Sequence, residues 1–388
     1  MMKLTILGAT GSIGVSTIDV MLRHPERFSA YALVGHQNVE RMRELAEKMR
    51  PEHVVMTNEA AAKALEGKLP SGVRLAAGMQ AAIAVAEAAE VDMVLAAMVG
   101  SVGLPAALAA VKAGKRVGLA NKECLVAAGR LFMQQAASCG ATVVPVDSEH
   151  AAVHQCLAGQ HRGSVEKVLI TASGGPFRTR DVASMAEVTP EEAVAHPNWD
   201  MGAKISIDSA TMMNKALELI EARWLFDLPA DKLAAIIHPQ SIVHALVQYA
   251  DGSVMAQLAE PDMRAPIAYA LMAEPRLASG TPMLDLAKHG QLTFEIVDEK
   301  RFPAMALVRQ VMMGEDSLSI ALNAANEMAN DAFRQRRLTF TGIVAAVEDV
   351  LASFPAVPVS SLDEVWFHDA EARRRAEELI QSGTYSGG

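Results

Sequence analysis

Two carboxylates flanking a hydroxyl stand at the centre of what this chain could do chemically. Residues 145–150 read Pro-Val-Asp-Ser-Glu-His and close an apolar, strand-like run at 141–146. On an extended strand end, Asp147 and Glu149 at i and i+2 fall on one side, so their oxygens can converge on one cation. Hard oxygen ligands suit Mg²⁺ or Mn²⁺, which complete their shells with water and substrate oxygens. His150 beside them fits an acid–base partner and equally a structural, hydrogen-bonding histidine.

A second cluster lies at 209–218. On a helix Asn214 and Glu218 are four apart and Lys215 and Glu218 three apart, so the three share a face. Ser209 falls near the helix start, where backbone N–H groups attract anions. Hydroxyl, amide and ammonium together suit a phosphate monoester, and Glu218 could give the metal of Asp147 and Glu149 a third carboxylate. From this helix alone, a polar face with one Lys–Glu pair explains the same residues.

The elements that must position these groups follow an α/β rhythm. Residues 4–7 form a short apolar strand that runs into Gly-Ala-Thr-Gly-Ser-Ile-Gly at 8–14 and then a helical pattern through His24. Glycines so spaced after a first strand let the backbone approach a pyrophosphate at the positive end of the following helix. The second strand, 31–34, ends in Gly35-His36-Gln37-Asn38. A site selective for NAD usually carries an acid here for the ribose 2′-hydroxyl. None is present, which favours NADP, with Arg41 or Arg43 as candidate phosphate contacts or simply as members of a solvated helix face.

Strands at 53–57, 93–98, 116–120 and 141–146 alternate with helices at 80–90, 104–113 and 125–138. Short connections between alternating elements predict a doubly wound parallel sheet, with ligands at the carboxyl ends of its strands. Asn121-Lys122-Glu123 and the 147–149 acids both lie at such ends. Beyond His150 the pattern changes. A strand at 165–171 empties into Ala172-Ser173-Gly174-Gly175-Pro176-Phe177, and a polar, turn-rich stretch reaches His-Pro-Asn-Trp-Asp-Met-Gly at 196–202. A connection of this length is expected to act as a lid, over about 173–204. Residues 206–209 precede a helix starting near Ala210, and strands are expected at 236–249 and 253–258. Residues 274–303 read as a linker, and 317–334, 341–352 and 361–381 as helices. The predicted organisation is an α/β, Rossmann-like domain at 1–150, a central α+β domain at 151–273, and a small helical domain at 304–388.

Composition removes several function classes. A net charge of −10 argues against nucleic acid or an anionic membrane as partner. Cys124, Cys139 and Cys156 are too few and too irregular for a disulfide framework or a zinc site, which fits a reducing, cytoplasmic setting. Cys124 fits a small buried thiol better than a nucleophile. The first residues carry no signal-peptide core. Residues 93–111 run 19 positions without a charge, but Gly100, Gly103 and Pro105 break them into strand, turn and new helix rather than a membrane span.

The blocks at 8–14, 120–123 (Ala-Asn-Lys-Glu), 145–150, 171–177, 196–202, 208–215 (Asp-Ser-Ala-Thr-Met-Met-Asn-Lys), 238–241 (His-Pro-Gln-Ser) and 260–264 (Glu-Pro-Asp-Met-Arg) occur together and in order over nearly the whole chain. This set resembles the 1-deoxy-D-xylulose-5-phosphate reductoisomerases. The resemblance implies an NADPH-dependent, Mg²⁺- or Mn²⁺-dependent enzyme of non-mevalonate isoprenoid biosynthesis, homodimeric, with one divalent ion per site. It would convert 1-deoxy-D-xylulose 5-phosphate to 2-C-methyl-D-erythritol 4-phosphate through an aldehyde. Carried over by motif, Asp147, Glu149 and Glu218 would ligate the metal. Ser148, Ser173, His196, Ser209, Asn214 and Lys215 would hold the substrate and its phosphate. Thr10, Gly11, Ser12, Ile13, Gly35, Gln37, Asn38, Asn121, Glu123 and Gly202 would line the cofactor site. Lys122 would reach the substrate near its reacting carbons, with Glu149 and His150 beside it in catalysis, and Trp199 and Met201 would belong to the lid.

One position departs from the family pattern. A cation would be expected after Gly35 to face a 2′-phosphate, and the chain has His36-Gln37-Asn38. Two other functions compete with the implied one: a metal-independent NADP-linked dehydrogenase or epimerase, and a catalytically silent NADP-binding module. The first leaves three carboxylates without a task, and the second leaves the phosphate-type helix without one.

Overall fold

The structure is a computed structural model, and it describes residues 1–195, 199 and 201–386. Two compact units emerge from the chain. The first comprises Met1–Cys124, Phe132–Ala151 and Asp262–Met283, and the second Leu125–Leu131, Ala152–Pro261 and Leu284–Gly388.

The first unit is built on a seven-stranded parallel sheet, formed by β1 (Met2–Leu7), β2 (Phe28–Gly35), β3 (His53–Met56), β4 (Arg74–Ala77), β5 (Met93–Ala96), β6 (Arg116–Leu119) and β7 (Thr142–Pro145). Its order is β4-β3-β2-β1-β5-β6-β7. The chain winds outward in one direction from β1 to β4, returns to β5 on the other side of β1, and so creates the switch point where doubly wound sheets bind ligands. Leu4, Ile6, Leu33, Val54, Met56, Leu95 and Val144 form its buried core with the flanking helices. The expected Rossmann-like sheet is present. The four-residue strand β4 and the helix Glu59–Leu65 add to the expected elements: Arg-Leu-Ala-Ala on a sheet edge has neither β-branched residues nor alternation, whereas the helix carried a signal that went unread, an Asn58 cap ahead of an alanine-rich run.

The second unit contains a four-stranded sheet of order β11-β10-β8-β9, from β8 (Val165–Ala172), β9 (Leu233–Ile237), β10 (Val243–Tyr249) and β11 (Val254–Leu258). The run expected as one strand at 236–249 is two strands. Pro239 has no N–H to give a ladder, and Ser241 adopts a left-handed φ of 55° in a turn closed by its N–H to the His238 carbonyl. Helices Ala304–Met313, Asp316–Arg334, Phe340–Ala352 and Leu362–Gln381 pack into the same apolar core as β8 and β10, through Val308, Leu322, Phe333, Val347 and Ile380. That shared core is why 304–388 groups with the central region rather than standing apart. The stretch 274–303 divides between the units, its second half pinned by paired hydrogen bonds between Ile237 and Glu295 at 2.9 Å. Among the described residues no helix is long and apolar enough to cross a membrane.

Candidate active site

In the first unit the chemical groups gather at the carboxyl edge of the parallel sheet. After β1, Gly8 takes a φ of 87°, and an added Cβ would stand 2.4 Å from the Ala97 carbonyl oxygen, so only glycine lets this turn pass so close to the end of β5. The turn leads into the helix Ser12–Arg23 with Gly11 and Ser12 exposed at its N-terminus, the arrangement that receives phosphate oxygens. Gly35 at the end of β2 lies beside Thr10: a Cβ there would be 3.3 Å from the threonine methyl. Asn38 caps the helix Val39–Met49 by accepting from the Arg41 N–H at 3.1 Å.

The arginines considered for a 2′-phosphate are otherwise engaged. Arg41 pairs with Glu44 at 2.8 Å, and Arg43 with Glu40 and Glu47 at 2.5 Å each, all on their own helix face. His36 instead meets a residue the sequence did not single out: its Nδ1 lies 2.9 Å from Thr57 Oγ1, at the end of β3.

After β6, Asn121, Lys122 and Glu123 are all buried. The Asn121 amide donates to the Gly100 carbonyl at 3.0 Å and its oxygen accepts from the Cys124 N–H at 3.3 Å, tying the loop after β5 to the start of the helix Glu123–Cys139. Lys122 Nζ forms a 2.8 Å ion pair with Asp147.

The 147–149 acids are placed differently from expectation. They do not continue a strand: the helix Ser148–Leu157 begins at once, and the Asp147 carbonyl accepts from the Ala151 N–H at 2.8 Å. Asp-Ser ahead of a run of helix formers is a helix start, and that local preference overrides strand alternation. The two carboxylates converge anyway, an oxygen of each lying within 4.8 Å of the other, with Glu149 in the first helical turn. Ser148 Oγ donates to Glu149 at 2.5 Å. His150 is fully buried, and one of its ring nitrogens lies within 4.8 Å of an Asp147 oxygen. Hard oxygens this close, partly neutralised by one lysine, fit a small divalent cation.

The second unit carries the other donor set. Residues 206–209, expected just ahead of a helix, belong to one, Ala203–Ala210. Met212 then turns the chain with a left-handed φ of 61°, and the helix Met213–Phe226 follows. On it, Asn214 Nδ2 donates to Glu218 at 2.5 Å and Lys215 forms an ion pair with the same carboxylate. Glu218 is 1% and Lys215 4% exposed, so this is an almost fully enclosed, mutually satisfied group rather than a solvated face. Ser173 begins the Gly174-Gly175 turn, its Oγ accepting from the Gly175 N–H at 3.1 Å. Gly175, at φ 65°, has room for no side chain: a Cβ would lie 3.0 Å from the Ser209 carbonyl oxygen. The turn that follows Ser173 thus lies against the backbone of Ser209. Gly202 is the N-cap residue of Ala203–Ala210, Ser206 Oγ reaches the Met201 carbonyl at 3.4 Å, and Trp199 is half-buried. His196 lies outside the described residues. Cys124 is buried, and burial pushes the Cys156 thiol up to about 11, which leaves neither suited to nucleophilic work.

Sheet topology and donor chemistry point to a class: dinucleotide-binding-type α/β proteins whose carboxylates could hold a metal and whose hydroxyl, amide and ammonium groups suit a phosphate. Sequence models of 1-deoxy-D-xylulose 5-phosphate reductoisomerase match residues 4–129, those of its C-terminal domains 143–226 and 258–375. The chain belongs to the 1-deoxy-D-xylulose 5-phosphate reductoisomerase family. It is 52% identical over 387 residues to the reductoisomerase of Ralstonia pickettii, covering 98% of each chain, and 51% identical to that of Burkholderia multivorans, covering 97% of this chain and 96% of the other. Among solved structures it is similar to the Zymomonas mobilis enzyme in complex with NADPH (43% identity, 98% of each chain, TM-score 0.92). It is equally similar to a DOX-P reductoisomerase in complex with NADPH, fosmidomycin and magnesium (39% identity, 100% of each chain, TM-score 0.92).

Proposed function

We propose that this protein reduces and isomerises 1-deoxy-D-xylulose 5-phosphate to 2-C-methyl-D-erythritol 4-phosphate, using NADPH and one Mg²⁺ or Mn²⁺ ion. The observation that carries this is the similarity over 98% of the chain to reductoisomerases at about half identity, joined to the two donor sets. Asp147, Glu149 and Glu218 are assigned as the metal ligands. Ser148, Ser173, His196, Ser209, Asn214 and Lys215 are assigned to the substrate and its phosphate. Thr10, Gly11, Ser12, Ile13, Gly35, Gln37, Asn38, Asn121, Glu123 and Gly202 are assigned to NADPH.

When bound, the divalent ion would supply Lewis acidity toward neighbouring substrate oxygens and NADPH the hydride. Lys122, held against Asp147 and largely out of water, would stabilise an alkoxide or move a proton on the substrate's oxygens. Glu149 and His150 act beside it. Ser173, Ser209, Asn214 and Lys215 bind the phosphate, so that energy gained far from the reacting carbons orients them. The segment 173–204, with Trp199 and Met201, serves as the lid that excludes water from the reactive intermediate.

A homodimer is part of this proposal. The outer strand β11 exposes Val254 and Met255, at 50% and 40%, and Phe294 and Ile296 of the same unit are 41% and 93% exposed. An apolar edge strand of this kind is suited to pairing with its own copy. Free cysteines and the absence of a membrane-type helix among the described residues support a cytoplasmic site of action.

Nicotinamide absorbance followed with 1-deoxy-D-xylulose 5-phosphate, with and without Mg²⁺, tests the assignment. The expected result is oxidation that disappears on chelation and in Asp147→Asn, with NADPH binding retained. Oxidation indifferent to chelation would establish the metal-independent dehydrogenase instead. Folded protein that binds NADPH and never oxidises it would establish the silent module.

A further inference from the structure

The helix Ala203–Ala210 carries Ser209 and stands directly after the lid segment. It is held at both ends by one face of the helix Asp316–Arg334. Asn330 Nδ2 donates to the Lys204 carbonyl at 3.0 Å, in the first turn, and to Asp208 Oδ1 at 2.8 Å, in the last. Asn326 Nδ2 donates to the same Asp208 oxygen at 3.0 Å. Lys204 Nζ lies 3.1 Å from the other carboxylate oxygen. Asp208 is 1% exposed and both asparagines are fully buried.

Apolar side chains of similar volume would join two helices at least as firmly as a buried carboxylate with amide donors. What directed bonds add is a single rotation and register of one helix against the other. That rotation has a consequence at the phosphate-type residues. Thr211 Oγ1 accepts from the Met213 N–H at 3.3 Å and the Met212 N–H donates to the Ser209 carbonyl at 3.1 Å, so the left-handed turn at Met212 is braced on both sides. Gly175, in the turn after Ser173, lies against the Ser209 carbonyl and Ala210. A roll of Ala203–Ala210 would therefore move Ser209 and Ser173 relative to Asn214 and Lys215.

We infer that Asp208, Asn326 and Asn330 are positioning residues: a buried clamp through which the C-terminal helical region sets the geometry of the subsite for the substrate's phosphate. This rests on the function proposed above and assigns a task to a region that carries none of the assigned site residues.

The test compares the parent with Asn326→Ser, Asn330→Ser, Asn330→Ala and Asp208→Asn, each shown to be folded by its melting transition. Inorganic phosphate binding is measured by calorimetry, NADPH binding by nicotinamide fluorescence, and turnover with the sugar phosphate. The asparagine variants are expected to weaken phosphate binding and raise KM together by about 10- to 100-fold, as supporting residues behind a binding site do. NADPH affinity should stay within twofold, about the scatter of such measurements, and kcat should fall much less than KM rises. Asp208→Asn keeps an oxygen for both amides and should lose least. Unchanged phosphate affinity in folded Asn330→Ala, or parallel losses of phosphate and NADPH binding, would overturn the clamp. A parent that binds phosphate but does not turn over the sugar phosphate would overturn the function and leave the clamp to be judged on the phosphate titration. A parent that binds no phosphate would overturn the clamp itself.

Discussion

Gln37 is where the chain departs from the family's cationic pattern, and its surroundings turn that departure into a measurable property. Arg41 and Arg43 are drawn into exposed ion pairs with Glu44, Glu40 and Glu47 on their own helix, which compete with any contact to a 2′-phosphate. The groups left at the ends of β2 and β3 are His36 with Thr57, Gln37 and Asn38. In the proposed cofactor site discrimination would then depend on neutral donors and one imidazole, and an acid introduced there would repel the phosphate and accept from a ribose hydroxyl instead. Gln37→Asp should lower the ratio of NADPH to NADH efficiency by about tenfold or more, the scale of one bound charge or hydrogen bond, whereas Arg43→Ala should leave it unchanged. An unaltered ratio in Gln37→Asp would place the 2′ contact elsewhere. The chemical types of the candidate groups were legible because ligand chemistry is a property of residue type. Thr57, Asp208, Asn326 and Asn330 were not, because each matters only through a partner distant in sequence.

At the scale of elements, strand ends and helix starts were read correctly where local chemistry was strong, as at Gly8–Gly14, and misjudged where two local signals competed. Asp147 to Glu149 continued an apolar strand in pattern and began a helix in fact, since Asp-Ser before good helix formers wins once the strand pairing stops at Pro145. The turn between β9 and β10 offers a test of another kind. His238 there is fully buried, stacks on Phe294 with ring centroids 4.7 Å apart, and bonds through Nδ1 to the Thr293 carbonyl at 2.8 Å. Burial holds its pKa below the usual 6.5, the hydrogen bond to Thr293 opposing this in part. The unfolded chain thus takes up the proton at higher pH than the folded one. Stability is complete above the usual imidazole value and is lost as pH falls from there through the folded-state value. His238→Gln, which keeps a donor for Thr293, should show a smaller drop in Tm between pH 7.5 and pH 5, both on the order of one unit or more from that usual value. Equal drops in variant and parent would remove His238 as a source of acid sensitivity.

For the whole molecule, the exposed apolar residues of the edge strand β11 are where the proposed dimer can be tested. Met255→Glu together with Val254→Lys would put charges on a surface that is apolar and exposed in the single chain. Sedimentation should show a dimer for the parent and a monomer for the variant, with a lower Tm because assembly and folding are linked; a parent that sediments as a monomer would refute the dimer. Sequence alone determined the doubly wound class, the glycine turn after β1, the carboxylate, ammonium and hydroxyl types on offer, and the family, because each is written in short blocks or in their order along the chain. Tertiary structure decided which arginines were already paired, that the acids at 147–149 meet on a helix start, that 304–388 shares its core with the central sheet, and that Asp208 is gripped from 118 and 122 residues away. Contacts across such separations carry no periodic trace along the chain, because they are made by packing and closed by the fold as a whole.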